Sequence, residues 1–383
     1  MRNVLLQHWR NFEMSRIITD AKELAAYRAS LRLWQGIPSI EVTKGGRIFL
    51  SAYSGGHMEQ IGNFSFLLVS NDGGKTVSDP PVAVAVFDGG RSYDPCLWID
   101  PLGRLWFTWA QCPDDGLYAV ICEDPDAERL TFSEPFLVGH NVMMNKPTVR
   151  RDGAWLFPIA VWNHGIRVLG PEFDDKDPEK GSFAWSSADH GKSFVKLGGA
   201  DVKDRHFDEH MFLELSDGTL RCYVRTFYGI GAAESKDGGL TWGPDYDTGL
   251  GGPDSRFHIR RLASGRILLI NHYDFKGRNN LTAMLSEDDG KTFPYRLLLD
   301  GRDSVSYPDA AVTEDGRIYI VYDRDRGAFM PNMEAAKACA REILLASVKE
   351  ADILAGKLQS PDSYLARVAS KLSEFEGKDP FSR

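Results

Sequence analysis

Short runs of alternating apolar and polar residues, each opened by a glycine turn, recur along most of the chain. In such a run every second side chain points to the same face, which is the pattern of a half-buried β-strand. The six turns read GGRIFL, LGRLWF, DGAWLF, DGTLRC, SGRILL and DGRIYI, with glycines at Gly46, Gly103, Gly153, Gly218, Gly265 and Gly316. These glycines are 57, 50, 65, 47 and 51 residues apart. The spacing predicts six β-rich units of about 50 residues each.

A second motif repeats out of phase with the first. Its copies read Ser-x-Asp-x-Gly-x-Thr-aromatic, with Ser replacing Thr once and Val replacing the aromatic residue once. They are SNDGGKTV from Ser70, SADHGKSF from Ser187, SKDGGLTW from Ser235 and SEDDGKTF from Ser286, and a degenerate fifth copy starts at Cys122. Glycine supplies the positive φ of a tight turn, and the Asp, Ser and Thr oxygens bond to nearby backbone groups. The motif therefore predicts a structural hairpin without a catalytic role.

Repeated β-rich units of this length are typical of a β-propeller. We therefore predict an all-β fold, a six-bladed β-propeller with short N- and C-terminal helices, in one domain that spans residues 1–383. Helices are expected over about 20–31, where Asp20 is a suitable N-cap, and over about 362–375. Residues 342–348 alternate like a strand, and a first strand near 4–7 is a candidate to join the last blade and close the ring.

The composition is that of a soluble globular protein, with 43% hydrophobic and 26% charged residues. The net charge of −9 argues against nucleic acid or an anionic membrane as a partner, although a local cluster of arginines can still bind a small anion. The chain has no stretch of about 18 uncharged apolar residues that would predict a membrane span. Its first residues do not resemble a secretory signal, so a cytoplasmic location is expected.

The cysteines and histidines indicate neither a disulfide framework nor a metal site. The five cysteines are scattered without a CxxC pair and are interpreted as reduced core residues. They are Cys96, Cys112, Cys122, Cys222 and Cys339. The nine histidines show no HExxH or similar spacing. We therefore expect no metal and no other cofactor.

Three segments that follow one another along the chain, together with the second motif, resemble the sialidase (neuraminidase) superfamily. Its members are six-bladed propellers that carry this motif as the Asp box, or BNR repeat, and the resemblance covers roughly residues 36–348. EHMFLELSDGTLRCYVR is similar to the segment with a catalytic glutamate and an arginine, which places Glu209 and Arg225 in those roles. RNNLTAMLSEDDGKTF is similar to the segment with a second arginine, here Arg278, and SYPDAAVTEDGRIYIVYD to the segment with the nucleophilic tyrosine, here Tyr307.

The resemblance implies an exo-acting glycoside hydrolase that removes a terminal, acidic sugar. A carboxylate beside a tyrosine hydroxyl can take its proton, so Glu209 and Tyr307 would form the nucleophile pair. A tyrosine nucleophile suits an anionic substrate, which would repel a carboxylate. Arg225 and Arg278 would bind the sugar carboxylate through paired N–H donors, a geometry that lysine cannot copy.

The chain departs from the family at the arginine of the first blade. The family begins this blade with Arg-Ile-Pro, whose arginine completes a three-arginine clamp on the carboxylate, whereas this chain reads Gly36-Ile37-Pro38. Arg32 lies four residues upstream, and Arg256 is the candidate substitute. Because the clamp has lost one arginine, we expect a sialic acid aryl glycoside to be a poor substrate.

The second departure concerns the acid that protonates the leaving group. The family has an aspartate in the loop before the first Asp box, but this loop offers Glu59 or His57 instead. Asp309, two residues after Tyr307, is a further candidate acid. The remaining candidates are polar residues expected around the central mouth of the propeller or as proton-transfer groups: Arg91, Asp94, Asn145, Lys146, His210 and His258.

Two other functions remain open from the sequence. In an oligosaccharide lyase on the same scaffold, an arginine would neutralise a uronate carboxylate while a tyrosine or histidine removes the C5 proton. A carbohydrate-binding propeller without catalysis is the third reading. A carbohydrate is the expected partner in every case, and the sugar, the linkage and the oligomeric state stay open.

Overall fold

The computed structural model describes residues 15–113, 115–162, 179–327, 330–372 and 374–381. In these ranges the chain forms six antiparallel sheets, the blades of a propeller, and five of them have four strands while the first has five. The predicted fold class is confirmed. The first strand expected near residues 4–7 lies outside the described residues.

The first three blades follow one another from residue 16 to residue 200. The first consists of β1 (Arg16–Ile18), β2 (Trp34–Val42), β3 (Ile48–Gly55), β4 (Phe64–Ser70) and β5 (Ala83–Val86). The second consists of β6 (Arg91–Ile99), β7 (Leu105–Cys112), β8 (Gly116–Cys122) and β9 (Phe136–His140). The third consists of β10 (Thr148–Val149), β11 (Trp155–Val161), β12 (Gly181–Ser187) and β13 (Val195–Ala200).

The other three blades complete the ring. The fourth consists of β14 (Arg205–Glu214), β15 (Leu220–Thr226), β16 (Gly229–Ser235) and β17 (Tyr246–Asp247). The fifth consists of β18 (His258–Arg261), β19 (Ile267–His272), β20 (Leu281–Ser286) and β21 (Tyr295–Asp300). The sixth consists of β22 (Val305–Val312), β23 (Arg317–Arg324), β24 (Glu342–Lys349) and β25 (Tyr364–Lys371). The ring closes where β2 packs against β22 and β23.

The helices differ in part from the prediction. The N-terminal segment is helical but broken: α1 (Ala21–Leu24) is followed by 3₁₀ turns at Ala25–Tyr27 and Ala29–Leu31. Asp20 caps α1 as expected, because its Oδ1 accepts from the backbone N–H groups of Lys22 and Glu23. Two further α-helices occur in the described ranges, α2 (Met333–Ala338) and α3 (Glu350–Ala355).

The helix predicted over 362–375 is wrong, because most of that stretch is β25. The strand pairs antiparallel with β24 and forms the outer edge of the sixth blade. Sequence propensity is a weak guide where a neighbouring strand offers backbone hydrogen bonds, and here the pairing decides the conformation.

The two repeated turns lie on one face of the ring. When the strands of each blade are counted outward from the innermost strand, which is β2 in the first blade, the six glycine turns join the first and second strands. Their glycines have φ between 78° and 88°. The Asp boxes follow the third strand of the first, third, fourth and fifth blades. Because neighbouring strands are antiparallel, the turns after the first and third strands fall on the same side. The first strands therefore begin at the opposite face, which we call the mouth.

β-Bulges near the start of four innermost strands shape this mouth. The pairing register shifts in β2, β6, β14 and β22. Positive φ values occur at Ile37 (57°), Asp94 (47°), Asp208 (45°) and Tyr307 (55°). A bulge interrupts the regular alternation of side chains and redirects them locally. The bulges thus place Asp94 and Tyr307 at equivalent points around the mouth.

No helix in the described part of the chain is long and apolar enough to cross a membrane.

Candidate functional site

The mouth brings together a tyrosine, a glutamate and an arginine from two different blades. The Tyr307 hydroxyl donates to Glu209 Oε1 at 3.3 Å. Arg225 Nη1 donates to the same Glu209 oxygen at 2.7 Å and to the Tyr307 hydroxyl at 3.1 Å. The three residues are 6%, 4% and 2% exposed, respectively. They lie on β22, β14 and β15, so the structure assembles the three residues that the resemblance assigns to one site.

The environment of Tyr307 favours a neutral hydroxyl before reaction. Burial raises its pKa, and the charge of Glu209 acts in the same direction, while Arg225 and Arg278 oppose this effect. The hydroxyl proton therefore remains on the oxygen and is directed at Glu209. A nucleophile of this kind needs a base in contact when it attacks, and Glu209 is in contact.

Asp254, which the sequence analysis did not select, orients the arginines. Its Oδ1 accepts from Arg225 Nε at 2.7 Å, and its backbone carbonyl accepts from Arg278 Nη2 at 2.8 Å. His206 Nδ1 lies 2.6 Å from Asp254 Oδ2. Burial would raise the pKa of the Asp254 carboxyl, but the bonds from Arg225 and His206 outweigh it and lower the pKa. Its place two residues before Arg256 was the only available signal in the sequence.

Arginine side chains surround the ring of Tyr307. The guanidinium carbons of Arg278 and Arg326 lie 5.3 Å and 4.6 Å from the ring centroid. Both side chains line a cavity of about 720 Å³ that also reaches Ser306, next to Tyr307. Arg326 belongs to no motif, and nothing in the sequence pointed to it. Arg32 does not reach this place, because its guanidinium lies 4.3 Å from the ring of Phe66.

Two carboxyl groups lie on another side of the mouth, Glu59 from the loop after β3 of the first blade and Asp94 from β6 of the second. Arg91 Nη2 lies 3.7 Å from Glu59 Oε2, and Glu59 is the more accessible group with a side chain that is 39% exposed. Asp94 is buried, and no partner for its Oδ1 lies among the described residues. Burial raises the pKa of Asp94 to about 8, with a further contribution from the charge of Glu59. Asp94 therefore carries a proton at neutral pH, as a general acid must.

Asp309 does not suit the role of an acid, contrary to our expectation. It lies on the axis of the ring, where its Oδ2 accepts from Ser39 Oγ at 2.6 Å and from the backbone N–H of Ile40 at 3.0 Å. Lys146 Nζ is 3.0 Å from the same oxygen. Burial alone would raise the pKa of Asp309, but Lys146 and His258 hold it well below its usual range. The carboxyl is ionised and has no proton to donate.

Lys146 and Arg256 are also engaged in the interior rather than free for a substrate. Lys146 Nζ donates to the carbonyls of Ile40 and Leu97 at 2.5 Å and 2.7 Å. Arg256 is fully buried and donates to three carbonyls, those of Met144, Pro38 and Tyr307. The expected substitution of Arg256 for the missing arginine is not supported, because its Nη groups are occupied by the backbone of three blades.

Asn145 likewise bonds internally, since its Nδ2 donates to the His210 carbonyl at 2.9 Å. The ring of His210 lies between the carbonyls of Asp208 and Phe183, and burial lowers its pKa to about 4. Such a buried, engaged ring is poorly suited to proton transfer with a substrate.

The other two histidines also have interior or aromatic neighbours. His258 Nδ1 lies 3.0 Å from Asp309 Oδ1, and burial lowers the pKa of His258 to about 4. The ring of His57 lies 4.5 Å from that of Phe381. Among the described residues, no three His, Cys, Asp or Glu side chains converge as metal ligands would.

The comparisons with known proteins agree on the architecture. A family model described as "BNR repeat-like domain" matches residues 124–320. A sequence comparison with curated proteins finds no match.

Several solved structures share the fold. A Hadza microbial sialidase is 20% identical with a TM-score of 0.61, over 76% of this chain and 63% of that chain. A protein of unknown function from Dyadobacter fermentans is 19% identical with a TM-score of 0.61, over 82% and 95%. The leech intramolecular trans-sialidase is 12% identical with a TM-score of 0.61, over 86% and 70%. This chain thus spans less than two thirds of the Hadza sialidase, and at such identities the likeness shows the fold alone.

Proposed function

The chain belongs to the BNR repeat-like family, and from that premise we propose that it is a sialidase-like exo-glycoside hydrolase that removes a terminal acidic sugar from a glycan. The observation that carries the proposal is the buried contact of Tyr307 with Glu209 at 3.3 Å, bridged by Arg225. A tyrosine, a base and a cation in mutual contact form an activated nucleophile. Arg278 and Arg326 line the cavity beside them, and the positive charge of these two side chains favours a sugar that carries a negative charge.

The proposed first step joins the sugar to the enzyme. Tyr307 Oη attacks the anomeric carbon while its proton passes to Glu209 Oε1. The bond to the leaving group breaks with its electron pair on the glycosidic oxygen, which takes a proton from an acid. In the second step water attacks the tyrosyl glycoside, the acid's conjugate base removes the water proton, and Glu209 returns its proton to Tyr307. Two displacements at one carbon give retention of configuration.

Arg225 lowers the cost of the first step. Its Nη1 donates to the Tyr307 oxygen, where negative charge develops as the proton leaves. A positioned donor at a site of developing charge is worth more in the transition state than in the ground state. The same nitrogen also donates to Glu209, so Arg225 keeps the nucleophile and the base next to each other.

Two carboxyl groups are available as the acid. Asp94 is favoured because burial raises its pKa to about 8 and because it occupies the bulge of its innermost strand, as Tyr307 does. Glu59 is the alternative, on the exposed loop next to Arg91. The leaving group is assigned to this side of the mouth, and the acidic sugar to the side of Arg278 and Arg326.

A panel of fluorogenic methylumbelliferyl glycosides tests the proposal. The panel contains sialic acid, glucuronic acid, galacturonic acid and neutral hexoses, and proton NMR reports the anomer first released. We expect release from at least one acidic glycoside with retention, and no release by the Tyr307→Phe and Glu209→Gln variants. An unsaturated uronate product would instead identify a lyase. Tight binding that survives both substitutions, without turnover of any glycoside, would identify a binding propeller.

A further inference from the structure

Gly36 leaves space that the side chain of Arg326 fills. A Cβ atom built on Gly36 would lie 2.1 Å from Arg326 Cδ and 2.8 Å from Arg326 Cγ. Real Cβ contacts are never this short, so any larger residue at position 36 would force Arg326 to move. The innermost strand of the first blade, β2, therefore has no side chain at the point where Arg326 of the sixth blade packs against it.

The neighbours of Arg326 hold it in this position. Asp323 Oδ2 lies 3.8 Å from Arg326 Nε. Asp323 is itself fixed, because it is fully buried and accepts from Ser306 Oγ at 2.7 Å and from the Ile37 backbone N–H at 2.8 Å. The guanidinium carbon of Arg326 is 4.6 Å from the ring centroid of Tyr307. Both ends of the arginine are thus constrained, one by Gly36 and one by Tyr307.

Arg326 has donor capacity that its neighbours do not use. Among the described residues, no hydrogen-bond acceptor contacts its buried Nη1. Arg225, by contrast, donates from Nε, Nη1 and Nη2 to Glu209, Tyr307 and Asp254. A buried N–H of a charged group without an acceptor is costly, and an anionic ligand in the cavity beside Arg326 would supply that acceptor.

We propose that Arg326, together with Arg278, binds the carboxylate of the terminal sugar, while Arg225 serves to position Glu209 and Tyr307. The inference rests on the proposed function, since it names the group that selects an acidic substrate at that site. Arg278 Nη2 donates to the Asp254 carbonyl at 2.8 Å, which fixes one edge of its guanidinium. Arg278 and Arg326 line the same cavity, and paired guanidinium donors on two sides suit a carboxylate.

The test compares each acid with its uncharged methyl ester. Isothermal titration calorimetry measures the Kd of N-acetylneuraminic acid, of glucuronic acid and of both methyl esters for the full-length protein. We expect wild type to prefer at least one acid over its ester. Arg326→Met should weaken binding of that acid about 10- to 100-fold, which is the range for a lost hydrogen bond to a charged group, and leave the ester nearly unchanged.

Two further variants separate the role of Arg326 from general damage. Arg324→Met is the matched control, because Arg324 lies two residues away and pairs with Glu342 at 3.0 Å. It should keep the preference for the acid. Gly36→Ala should reduce that preference while all arginines remain, since the new methyl group displaces Arg326. If thermal unfolding shows that Arg326→Met is poorly folded, the Gly36→Ala result decides.

The outcomes distinguish this inference from the proposed function. Equal acid preference in wild type, Arg326→Met and Gly36→Ala would overturn the inference even if glycosides are hydrolysed. Wild type without any preference for an acid would also overturn it. A preference that depends on Arg326 in a protein that cleaves no glycoside would support the inference and refute the hydrolase.

Discussion

Several residues at the mouth have backbone conformations that their side chains disfavour. Tyr307, Asp94 and Ile37 have φ values of 55°, 47° and 57°. A non-glycine residue in this region costs on the order of 1–3 kcal/mol and persists only where its surroundings enforce it. At Ile37 the Asp323 carboxylate accepts the backbone N–H at 2.8 Å and compensates in part. This strain places reactive side chains where a regular strand could not.

The nucleophile can be tested by removing one hydroxyl group. Tyr307→Phe should lower kcat at least about a thousandfold, since nothing else would form the covalent bond. The free energy of unfolding should change by less than about 1.5 kcal/mol, because Arg225 keeps its contacts with Glu209 and Asp254. Steady-state kinetics and urea unfolding provide the two measurements.

The matched control for this variant is Tyr322→Phe. Tyr322 is also buried and donates to a carboxylate, Asp300 Oδ2, at 3.0 Å, but its ring packs in the hydrophobic core that the fifth and sixth blades share. It should keep wild-type kcat. Full activity in Tyr307→Phe would remove the nucleophile from the mechanism.

The raised pKa of Asp94 predicts how activity depends on pH. Because burial raises this pKa to about 8, kcat should fall as the pH rises through that value and the acid loses its proton. Asp94→Asn should lose this limb of the profile together with most of kcat. If Glu59 is the acid instead, Glu59→Gln should have that effect and Asp94→Asn should retain the limb.

The same carboxyl predicts the sign of a stability change. A folded-state pKa above the ordinary value means that the protonated group stabilises the fold at low pH. This contribution is lost as the pH rises towards and through about 8. Wild type should therefore lose stability between pH 5 and pH 9, whereas Asp94→Asn should not. The free energy of unfolding of Asp94→Asn minus that of wild type should increase by at least about 1 kcal/mol between these two pH values. Urea unfolding at the two pH values measures it, and an unchanged difference would contradict the raised pKa.

The sequence identified some site residues and missed others for a physical reason. Glu209, Arg225 and Tyr307 lie in strands and Arg278 lies in the loop before β20. The order and spacing of these segments are visible in the chain, and the structure brings the four residues together. Arg326 lies after a strand, outside any motif, and reaches the mouth through space that Gly36 vacates. The expectation of a poor sialoside substrate assumed a missing third arginine, and it stays a prediction that the proposed role of Arg326 opposes.

Elements were most predictable where local chemistry determines them. Each of the six glycine turns joins the innermost strand of a blade to its neighbour, because glycine adopts the positive φ of that turn without strain. The Asp boxes also behave as expected: in the first, Asp72 Oδ1 accepts from the backbone N–H groups of Lys75 and Thr76, both at 2.9 Å. β25 was missed because its conformation depends on β24, which is not a local property.

The Asp boxes should contribute to stability and not to catalysis. In the fourth blade Asp237 accepts from Ser235, from Thr241 and from two backbone N–H groups. Asp237→Ala should lower Tm by roughly a few degrees and leave kcat unchanged. Lys236→Ala, in the same exposed turn, is the control and should change neither quantity.

Acid should remove this contribution. The bonds from Thr241 lower the pKa of Asp237 to about 2, so its stabilisation is present above the ordinary carboxyl pKa and is lost as the pH falls towards 2. The Tm difference between Asp237→Ala and wild type should therefore shrink between pH 5 and pH 2. A constant difference would show that the carboxylate is not the stabilising group.

At the scale of the molecule, the repeats predicted the number of blades. They did not predict how the ring closes. The sixth blade takes its strands from residues 305–371, and β1 adds to the first blade instead. Closure rests on packing between strands that are far apart in the chain, for which the sequence offers no local signal. A single domain over 1–383 and a cytoplasmic location stay predictions.

The axis of the ring is held together by a buried charge cluster. Lys146 Nζ lies 2.9 Å from Glu41 Oε1 and 3.0 Å from Asp309 Oδ2, and it donates to carbonyls of β2 and β6. Lys146, which belongs to the third blade, thus contacts residues of the first, second and sixth blades. Burial would lower the pKa of Lys146, but Asp309 and Glu41 raise it above the ordinary value, so the ammonium is charged. The charge of each group in the cluster is compensated by the charges of its neighbours.

Lys146→Met should therefore destabilise the whole ring. Removing one partner of a buried ion cluster leaves uncompensated charge and costs about 3–5 kcal/mol, whereas an exposed pair contributes less than about 1 kcal/mol. The control is Lys196→Met, since Lys196 pairs with Glu179 at 2.6 Å on the surface. Urea unfolding should show a large loss for the first variant and a small one for the second. If Lys146 bound substrate, as its sequence position suggested, its removal would raise KM at nearly unchanged stability, and that result would contradict the axial role.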